Sequence, residues 1–189
     1  MEKIEYKGYT IEIEQEENAK YSHIWVNLTT MICFHKSYNL GDKHEIKHED
    51  YASWEEMKQA IIKRFKSVCI KPLYLFDHSG ITISTTEFSD LSDSGQVGFV
   101  IITRQKVLDF IKAKQIAFFI KKRAMQRLER EVEIYDQFLK GEVYGYVVKN
   151  PEGEVVESCY GYYGFDHEKS GLWYEAKWFI DGELKRAIE

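Results

Sequence analysis

The sequence predicts an α+β protein in which a mostly antiparallel sheet carries two main amphipathic helices. Two patterns support this prediction. Short stretches alternate polar and apolar residues between turn signals, and two longer stretches repeat apolar residues at helical spacing. With 189 residues, a single domain covering 1–189 is expected, and residues 1–30 could form a small appended lobe built on an N-terminal hairpin.

The predicted strands group into hairpins. Residues 3–6 and 9–15 alternate around a Lys-Gly turn, and residues 142–149 and 154–160 flank an Asn-Pro-Glu-Gly turn. Between these pairs, residues 24–34 fit either a strand or a short helix, and 35–51 fit an ordered loop. Three further strands are expected at 70–76, 81–86 and 97–102. The first two are close enough to form a hairpin.

Helix signals are strongest in two places. Ser53 with Glu56 forms a capping box, and the following helix has one apolar face, made of Trp54, Met57, Ile61, Phe65 and Val68. A longer helix is predicted over 115–140, ended by Gly141, with the stripe Ile116, Ile120, Ala124, Leu128, Val132, Tyr135 and Leu139. Thr103 can cap a short helix, and the tail from Ser170 fits a helix slightly better than a strand.

Composition excludes several classes of protein. The three cysteines share no metal-binding or redox spacing and are predicted to be reduced core residues. The first residues alternate charge and hydrophobe, unlike a secretory signal, and no apolar run is long enough for a membrane span. The sequence contains neither a GxxxxGK(S/T) loop nor a GxGxxG motif after a predicted strand, which disfavours a nucleotide-binding fold. We therefore expect a cytoplasmic protein with no cofactor and no membrane contact.

Positive charge is concentrated in the middle of the chain. Residues 61–130 contain 13 Lys and Arg against 6 Asp and Glu, whereas acidic residues exceed basic ones on both sides. This predicts a nucleic-acid contact along one stretch, with the candidates Lys112, Lys114, Lys121, Lys122, Arg123, Arg127 and Arg130. The alternative is an ordinary solvated helix face.

Polar residues are dense between Leu73 and Gly98, in the stretch LYLFDHSGITISTTEFSDLSDSGQVG. Asp77, His78 and Asp93 are candidate catalytic residues, because a histidine oriented by a carboxylate can act as a general acid or base. Ser79 and Gln96 are candidate binding residues in the same stretch. The alternative is that each side chain bonds its own turn.

Two further groups could bind a metal. His35, Asp42, His44 and His48 offer nitrogen and oxygen ligands in one loop, but turn residues between the histidines disfavour a regular site, so no metal is expected. Glu131, Glu133 and Asp136 suit a metal-dependent nuclease. Because they fall on an amphipathic helix, we expect their side chains to face solvent.

Several blocks resemble a known family. Four blocks are similar to recurrent blocks of small proteins from phages, prophages and conjugative elements of Gram-positive bacteria. They are the stretch from Leu73 to Gly98, CFHKSYNLGDKH, EVEIYDQFLKGEVYGYVV and ESCYGYYG. The resemblance covers about residues 31–165. It implies an accessory protein of a mobile element, of a size common among anti-CRISPR and antirestriction factors.

Three functions follow as hypotheses. The first is a non-enzymatic inhibitor that binds a host defence nuclease complex, either a CRISPR effector or a restriction enzyme, through protein contact. The second is a hydrolase or nuclease that uses Asp77, His78 and Asp93. The third is a nucleic-acid-binding accessory protein, whose affinity should fall steeply with salt.

Overall fold

A computed structural model describes residues 2–21, 27–112 and 115–186. Within these ranges the chain forms four α-helices and eight strands in antiparallel sheets, which confirms the predicted α+β class. The strands are β1 (Glu2–Tyr6), β2 (Tyr9–Gln15), β3 (Thr29–Cys33), β4 (Ser67–Asp77), β5 (Ile81–Ser84), β6 (Ser94–Thr103), β7 (Val143–Lys149) and β8 (Val155–Tyr163). The helices are α1 (Trp54–Phe65), α2 (Arg104–Ile111), α3 (Phe118–Leu139) and α4 (Leu172–Arg186).

The chain divides into two compact units. Unit 1 comprises Met1–Tyr21 and Gln137–Glu189, and unit 2 comprises Ser22–Asp136. Each unit contains one four-stranded sheet, so the antiparallel strands belong to two sheets. That residues 1–189 form one domain stays a prediction.

Unit 1 is built on the sheet β1-β2-β7-β8. The N-terminal hairpin closes at Tyr6 and Tyr9, as the alternating pattern predicts, and β2 then pairs with β7 from the other end of the sequence. The predicted tail helix is present as α4, and its buried residues pack against one face of the sheet. This core contains Ile11, Ile13, Tyr146, Val148, Tyr162, Leu172, Ala176 and Ile180.

Unit 2 is built on the sheet β3-β6-β4-β5. The segment predicted as strand or helix contains β3, while residues 22–26 lie outside the described ranges. Helix α1 covers one face of the sheet, with Met57 and Ile61 packed against Ile32, Phe99 and Ile101. The sequence therefore predicts both the helix and the face that it buries.

The ends of α1 show where the pattern succeeds and where it fails. Ser53 accepts a hydrogen bond from the Glu56 amide at 3.2 Å, and the Glu56 carboxylate accepts one from the Ala52 amide at 2.8 Å. At the other end Lys66 has a left-handed backbone (φ 49°), which terminates the helix. Val68 was predicted on the helix face, but this is wrong, because the chain has already entered β4.

Helix α3 lies along the opposite face of the unit 2 sheet. Cys69 precedes Ile70 in β4 and so points away from α1, and its thiol contacts the Lys121 carbonyl at 3.8 Å. Farther along α3, the Ile83 amide of β5 donates to Asp136 at 2.8 Å. Ile116 was predicted in the helical stripe, but α3 begins only at Phe118.

The predicted solvent exposure of Glu131 is wrong. Its side chain is 1% exposed and accepts hydrogen bonds from the amides of Leu28 and Thr29 at 3.1 and 3.0 Å. The Thr29 hydroxyl donates to it at 2.6 Å, and Arg127 closes the arrangement from one helical turn earlier, also at 2.6 Å. Glu131 therefore fixes α3 to the start of β3, and its carboxylate oxygens are used by these hydrogen bonds.

Candidate functional site

The first turns of α3 carry exposed cations beside exposed aromatic rings. Phe118 and Phe119 are 86% and 60% exposed. Lys121, Lys122 and Arg123 follow within five residues and are also exposed. In the part of the chain that the structure describes, no carboxylate lies within ion-pair distance of these three cations. We call these five residues the basic aromatic surface.

The position of this surface follows from the helical repeat. Ala124, Leu128 and Val132 are buried against the sheet. Residues 118, 119, 122 and 123 lie off that stripe and face solvent, whereas Lys121, three residues before Ala124, lies in line with the stripe and is exposed nevertheless. The fold of unit 2 therefore holds the basic aromatic surface outward on a packed helix.

The other predicted cations divide into three groups. Arg127 is bound to Glu131, and Arg130 lies 2.7 Å from Glu133, so nearby carboxylates offset both charges. Lys112 is exposed at the end of α2 in a left-handed conformation (φ 50°). Lys114 lies outside the described residues. Among the described residues, the predicted cations without carboxylate partners are therefore Lys112 at the end of α2 and the three in the first turns of α3.

The two glycine-bearing turns of the polar stretch meet at one end of β4 and β6, the central strands of the unit 2 sheet. His78 Nδ1 lies 2.8 Å from Asp93 Oδ2, and the Asp77 amide donates to the Asp93 carbonyl at 2.9 Å. Asp77 in turn accepts a hydrogen bond from the Tyr38 hydroxyl at 3.2 Å, which raises the pKa of Tyr38. The His78–Asp93 pair, which we call the turn dyad, therefore matches the predicted juxtaposition.

The dyad has the orientation of a general base. A carboxylate only accepts, so Nδ1 of a neutral His78 carries the proton and Nε2 is left with its lone pair. However, the His78 side chain is 68% exposed and that of Asp93 is 40% exposed. A proton acceptor in open solvent gains little from desolvation or from substrate positioning.

Two of the three serine side chains around the dyad are committed to other hydrogen bonds. Ser92 donates to Asp90 at 2.6 Å, and this bond together with the Ser92 amide lowers the pKa of Asp90. Ser94 donates to the Asp90 carbonyl. Ser79 lies in the turn with a left-handed backbone (φ 54°). The arrangement supplies a base without a bound nucleophile and also ties the two turns together.

Gln96 lies apart from the dyad. Its side-chain amide donates to the Gly98 carbonyl at 3.2 Å and lines a groove of about 190 Å³ beside α1. Trp54, Pro72, Tyr74 and Phe99 form much of this groove. The predicted binding residues Ser79 and Gln96 therefore do not share a site.

The three loop histidines have separate environments. His35 Nδ1 accepts from the amides of Ser37 and Tyr38, both at 3.2 Å. His44 Nε2 donates to the Cys33 carbonyl at 3.0 Å, and the His48 ring contacts the Trp54 ring. No group of three metal-ligating side chains is found within residues 2–21, 27–112 and 115–186. Each histidine stabilises its own part of the loop.

Three functional candidates escaped the sequence analysis. Phe118 and Phe119 were not singled out, although both lie off the apolar stripe of a helix that the sequence predicts, which signals exposure. Tyr38 was also missed, since its partner Asp77 is 39 residues away and only the folded sheet brings the two together.

The three cysteines are free; Cys33 and Cys69 are buried and Cys159 is partly buried. Burial raises the pKa of the Cys33 thiol to about 12, which disfavours a reactive thiolate. None of the helices in the described ranges has the length and hydropathy needed to cross a membrane.

Comparison with known proteins gave no match to a family model, a curated protein or a solved structure. The function is therefore inferred from the two exposed features described above, the basic aromatic surface and the turn dyad.

Proposed function

We propose that this chain is a non-enzymatic accessory protein that binds nucleic acid through the basic aromatic surface of α3. The observation that carries the proposal is the row of three exposed cations, without carboxylate partners among the described residues, that begins one residue after two exposed phenylalanines. Phosphates attract such cations and release counterions on binding, while aromatic rings offer faces for bases.

This surface is favoured over the turn dyad for a physical reason. Binding needs accessible charge and contact area, both of which exposure supplies. Catalysis by His78 needs a positioned substrate and a nucleophile, whereas both side chains of the dyad are well exposed and the hydroxyls of Ser92 and Ser94 already donate to other groups. Substitution of His78 tests the enzymatic hypothesis directly.

The test reverses the three charges in one variant, Lys121→Glu with Lys122→Glu and Arg123→Glu. We expect wild-type protein to bind a labelled oligonucleotide in fluorescence anisotropy, with affinity that falls as salt rises. The variant should lose at least about 10-fold in affinity at low salt, because three phosphate contacts are replaced by repulsion.

A matched control places the same change in charge elsewhere on unit 2. Lys43, Lys47 and Lys63 are exposed lysines outside α3, and their triple Glu variant should bind nearly as well as wild type. Equal losses in both variants would mean that only net charge matters. Absence of binding by the wild type at low salt would contradict the proposal.

A second candidate function is inhibition of a bacterial defence nuclease, a CRISPR effector or a restriction enzyme, by stoichiometric binding of a mobile-element accessory protein. Unit 1 supports it. Its sequence segments hold 16 Asp and Glu against 9 Lys and Arg. Tyr174 and Trp178, one turn apart on α4, are 75% and 66% exposed. Tyr and Trp dominate binding energy at protein interfaces, and acidic surface suits a channel built for nucleic acid.

This candidate is tested by adding the protein to cleavage reactions of a panel of purified CRISPR effectors and restriction enzymes. We expect one nuclease to be inhibited at about equimolar protein. The double variant Tyr174→Ala with Trp178→Ala should lose inhibition, while the charge-reversed α3 variant should retain it. No inhibition across the panel at large excess would count against this function.

A further inference from the structure

We infer that the basic aromatic surface selects single-stranded over duplex nucleic acid by stacking unpaired bases on Phe118 and Phe119. This inference rests on the proposed nucleic-acid binding and specifies its ligand class. Four observations carry it: the exposure of the rings, their spacing from the cations, the pairing of the neighbouring arginines, and the charge that a second copy would present.

The rings are open on the side that a base must approach. At 86% and 60% exposure, Phe118 and Phe119 bury little of their surface in this protein. A base in a duplex is already stacked on both sides and offers only its edge. Unpaired bases offer whole faces, and stacking on an aromatic side chain tolerates any sequence.

Each ring is paired with a cation one helical turn further on. Phe118 precedes Lys122 by four residues, and Phe119 precedes Arg123 by four, so each pair lies on one strip of the helix surface. Four residues raise the helix by about 6 Å. The two strips lie about 100° apart around the helix, so a single strand that curves around the start of α3 can place one nucleotide on each, with its base on the ring and its phosphate near the cation.

The surface is too short to favour a duplex. Beyond Arg123, the next two basic residues of α3 are neutralised by Glu131 and Glu133. Duplex binding without base-edge contacts depends on several phosphate contacts spread along the backbone. Three cations supply little of that, and the phenylalanines have no donor or acceptor for a base edge.

A second copy of this chain fits the surface poorly. A two-fold contact would place the patch against itself, so Lys122 and Arg123 of one copy would face the same cations of the other. Like charges brought together disfavour such a contact. An anionic ligand removes this repulsion and uses the rings at the same time.

The test compares an oligothymidylate with a duplex of equal phosphate number, at the same salt concentration. We expect the wild type to bind the single strand at least about 10-fold more tightly. Phe118→Ala with Phe119→Ala should remove that preference and leave weak duplex binding almost unchanged. Phe118→Tyr with Phe119→Tyr should restore the preference, because tyrosine retains the ring.

A matched aromatic deletion controls for general loss of exposed rings. Tyr160 and Phe165 of unit 1 are 46% and 69% exposed, and their double alanine variant should keep the preference for single strands. Ultraviolet cross-linking of the oligothymidylate, followed by peptide mapping, should attach it at Phe118 or Phe119. Thermal melting of every variant establishes that the fold is intact.

The outcomes separate this inference from the proposed function. Equal affinity for single strand and duplex, or an alanine variant with unchanged preference, would overturn the stacking inference and leave nucleic-acid binding standing. No binding to either ligand would overturn both. A wild-type dimer in sedimentation that dissociates in the alanine variant would overturn the inference in favour of self-association.

Discussion

The two units expose aromatic side chains in opposite electrostatic settings. The sequence of unit 1 carries 16 Asp and Glu against 9 Lys and Arg, whereas that of unit 2 carries 15 against 17. Tyr174 and Trp178 are therefore displayed by an acidic unit, while Phe118 and Phe119 are displayed beside uncompensated cations. The comparison teaches that an exposed ring alone does not define a partner; the charges around it do.

The units also differ in how they hold a buried carboxylate. In unit 1, Glu12 is 8% exposed and lies 2.6 and 2.8 Å from the ammonium groups of Lys3 and Lys149. In unit 2, Glu131 is 1% exposed and accepts from two backbone amides, a hydroxyl and Arg127. If Glu12 is replaced, the flexible lysine side chains can turn to solvent. The backbone amides that bind Glu131 are fixed and cannot find another partner.

The largest expected effect is therefore at Glu131. Glu131→Ala should lower the free energy of unfolding by about 3 kcal/mol or more, because buried amides and a guanidinium lose their acceptor. Chemical denaturation measures this loss. Glu133→Ala on the same helix is the control and should change stability by about 0.5 kcal/mol or less, since the Glu133–Arg130 pair is exposed. Similar losses of stability in Glu131→Ala and Glu133→Ala would contradict this prediction.

Two sheet glycines give the next comparison between the units. An added Cβ at Gly98 in unit 2 would lie 1.9 Å from the Ile32 carbonyl oxygen, which belongs to the neighbouring strand. At Gly145 in unit 1 it would lie 2.1 Å from the Tyr160 ring, which is 46% exposed and can rotate away. Gly98→Ala should lower the free energy of unfolding by more than the roughly 1–3 kcal/mol typical of overpacking. Gly145→Ala should lower it by only about 1 kcal/mol. A larger drop in melting temperature for Gly145→Ala than for Gly98→Ala would contradict this prediction.

The contribution of Glu12 to stability should depend on pH. Hydrogen bonds from Lys149 and Lys3 lower the pKa of its carboxyl in the folded state. The resulting stabilisation is fully present above the unfolded pKa and is lost as pH falls through the folded pKa. Glu12→Gln should thus destabilise the protein at neutral pH and progressively less in acid, as melting at several pH values would show. The exposed Glu17→Gln serves as the control without such a trend.

The smallest expected effect is at the turn dyad. His78→Ala removes one exposed hydrogen bond to Asp93 and should change the free energy of unfolding by about 1 kcal/mol or less. Nucleic-acid binding through α3 should be unaffected. Loss of a hydrolytic activity in this variant, with the melting temperature preserved, would instead support the enzymatic hypothesis for Asp77, His78 and Asp93.

Local patterns predicted local structure well. The Ser53 cap, the apolar face of α1, the two hairpins and the tail helix follow from side chains within a few residues of one another. The meeting of the two polar turns was also within reach, because 15 residues separate His78 from Asp93 and a strand pair joins them.

Long-range features could not be predicted in this way. The pairing of β2 with β7 and the burial of Glu131 depend on partners more than a hundred residues away. The charge of Glu131 suggested a solvent-facing side chain, although its spacing from Leu128 and Tyr135 places it on the buried stripe, where hydrogen bonds from the start of β3 compensate its burial. Charge counting likewise identified the basic stretch but not which of its cations would find carboxylates.

Helix α3 is anchored at well-separated points to three different strands, through Cys69, Thr29 and Ile83. Its backbone is thus preorganised before any ligand arrives. Capture of a strand by Phe118 and Phe119 would order only side-chain rotamers, so the entropic penalty of binding falls mainly on the ligand. A shallow platform of this kind favours rapid exchange over long residence, and a protein that carries one suits transient contact with passing single strands.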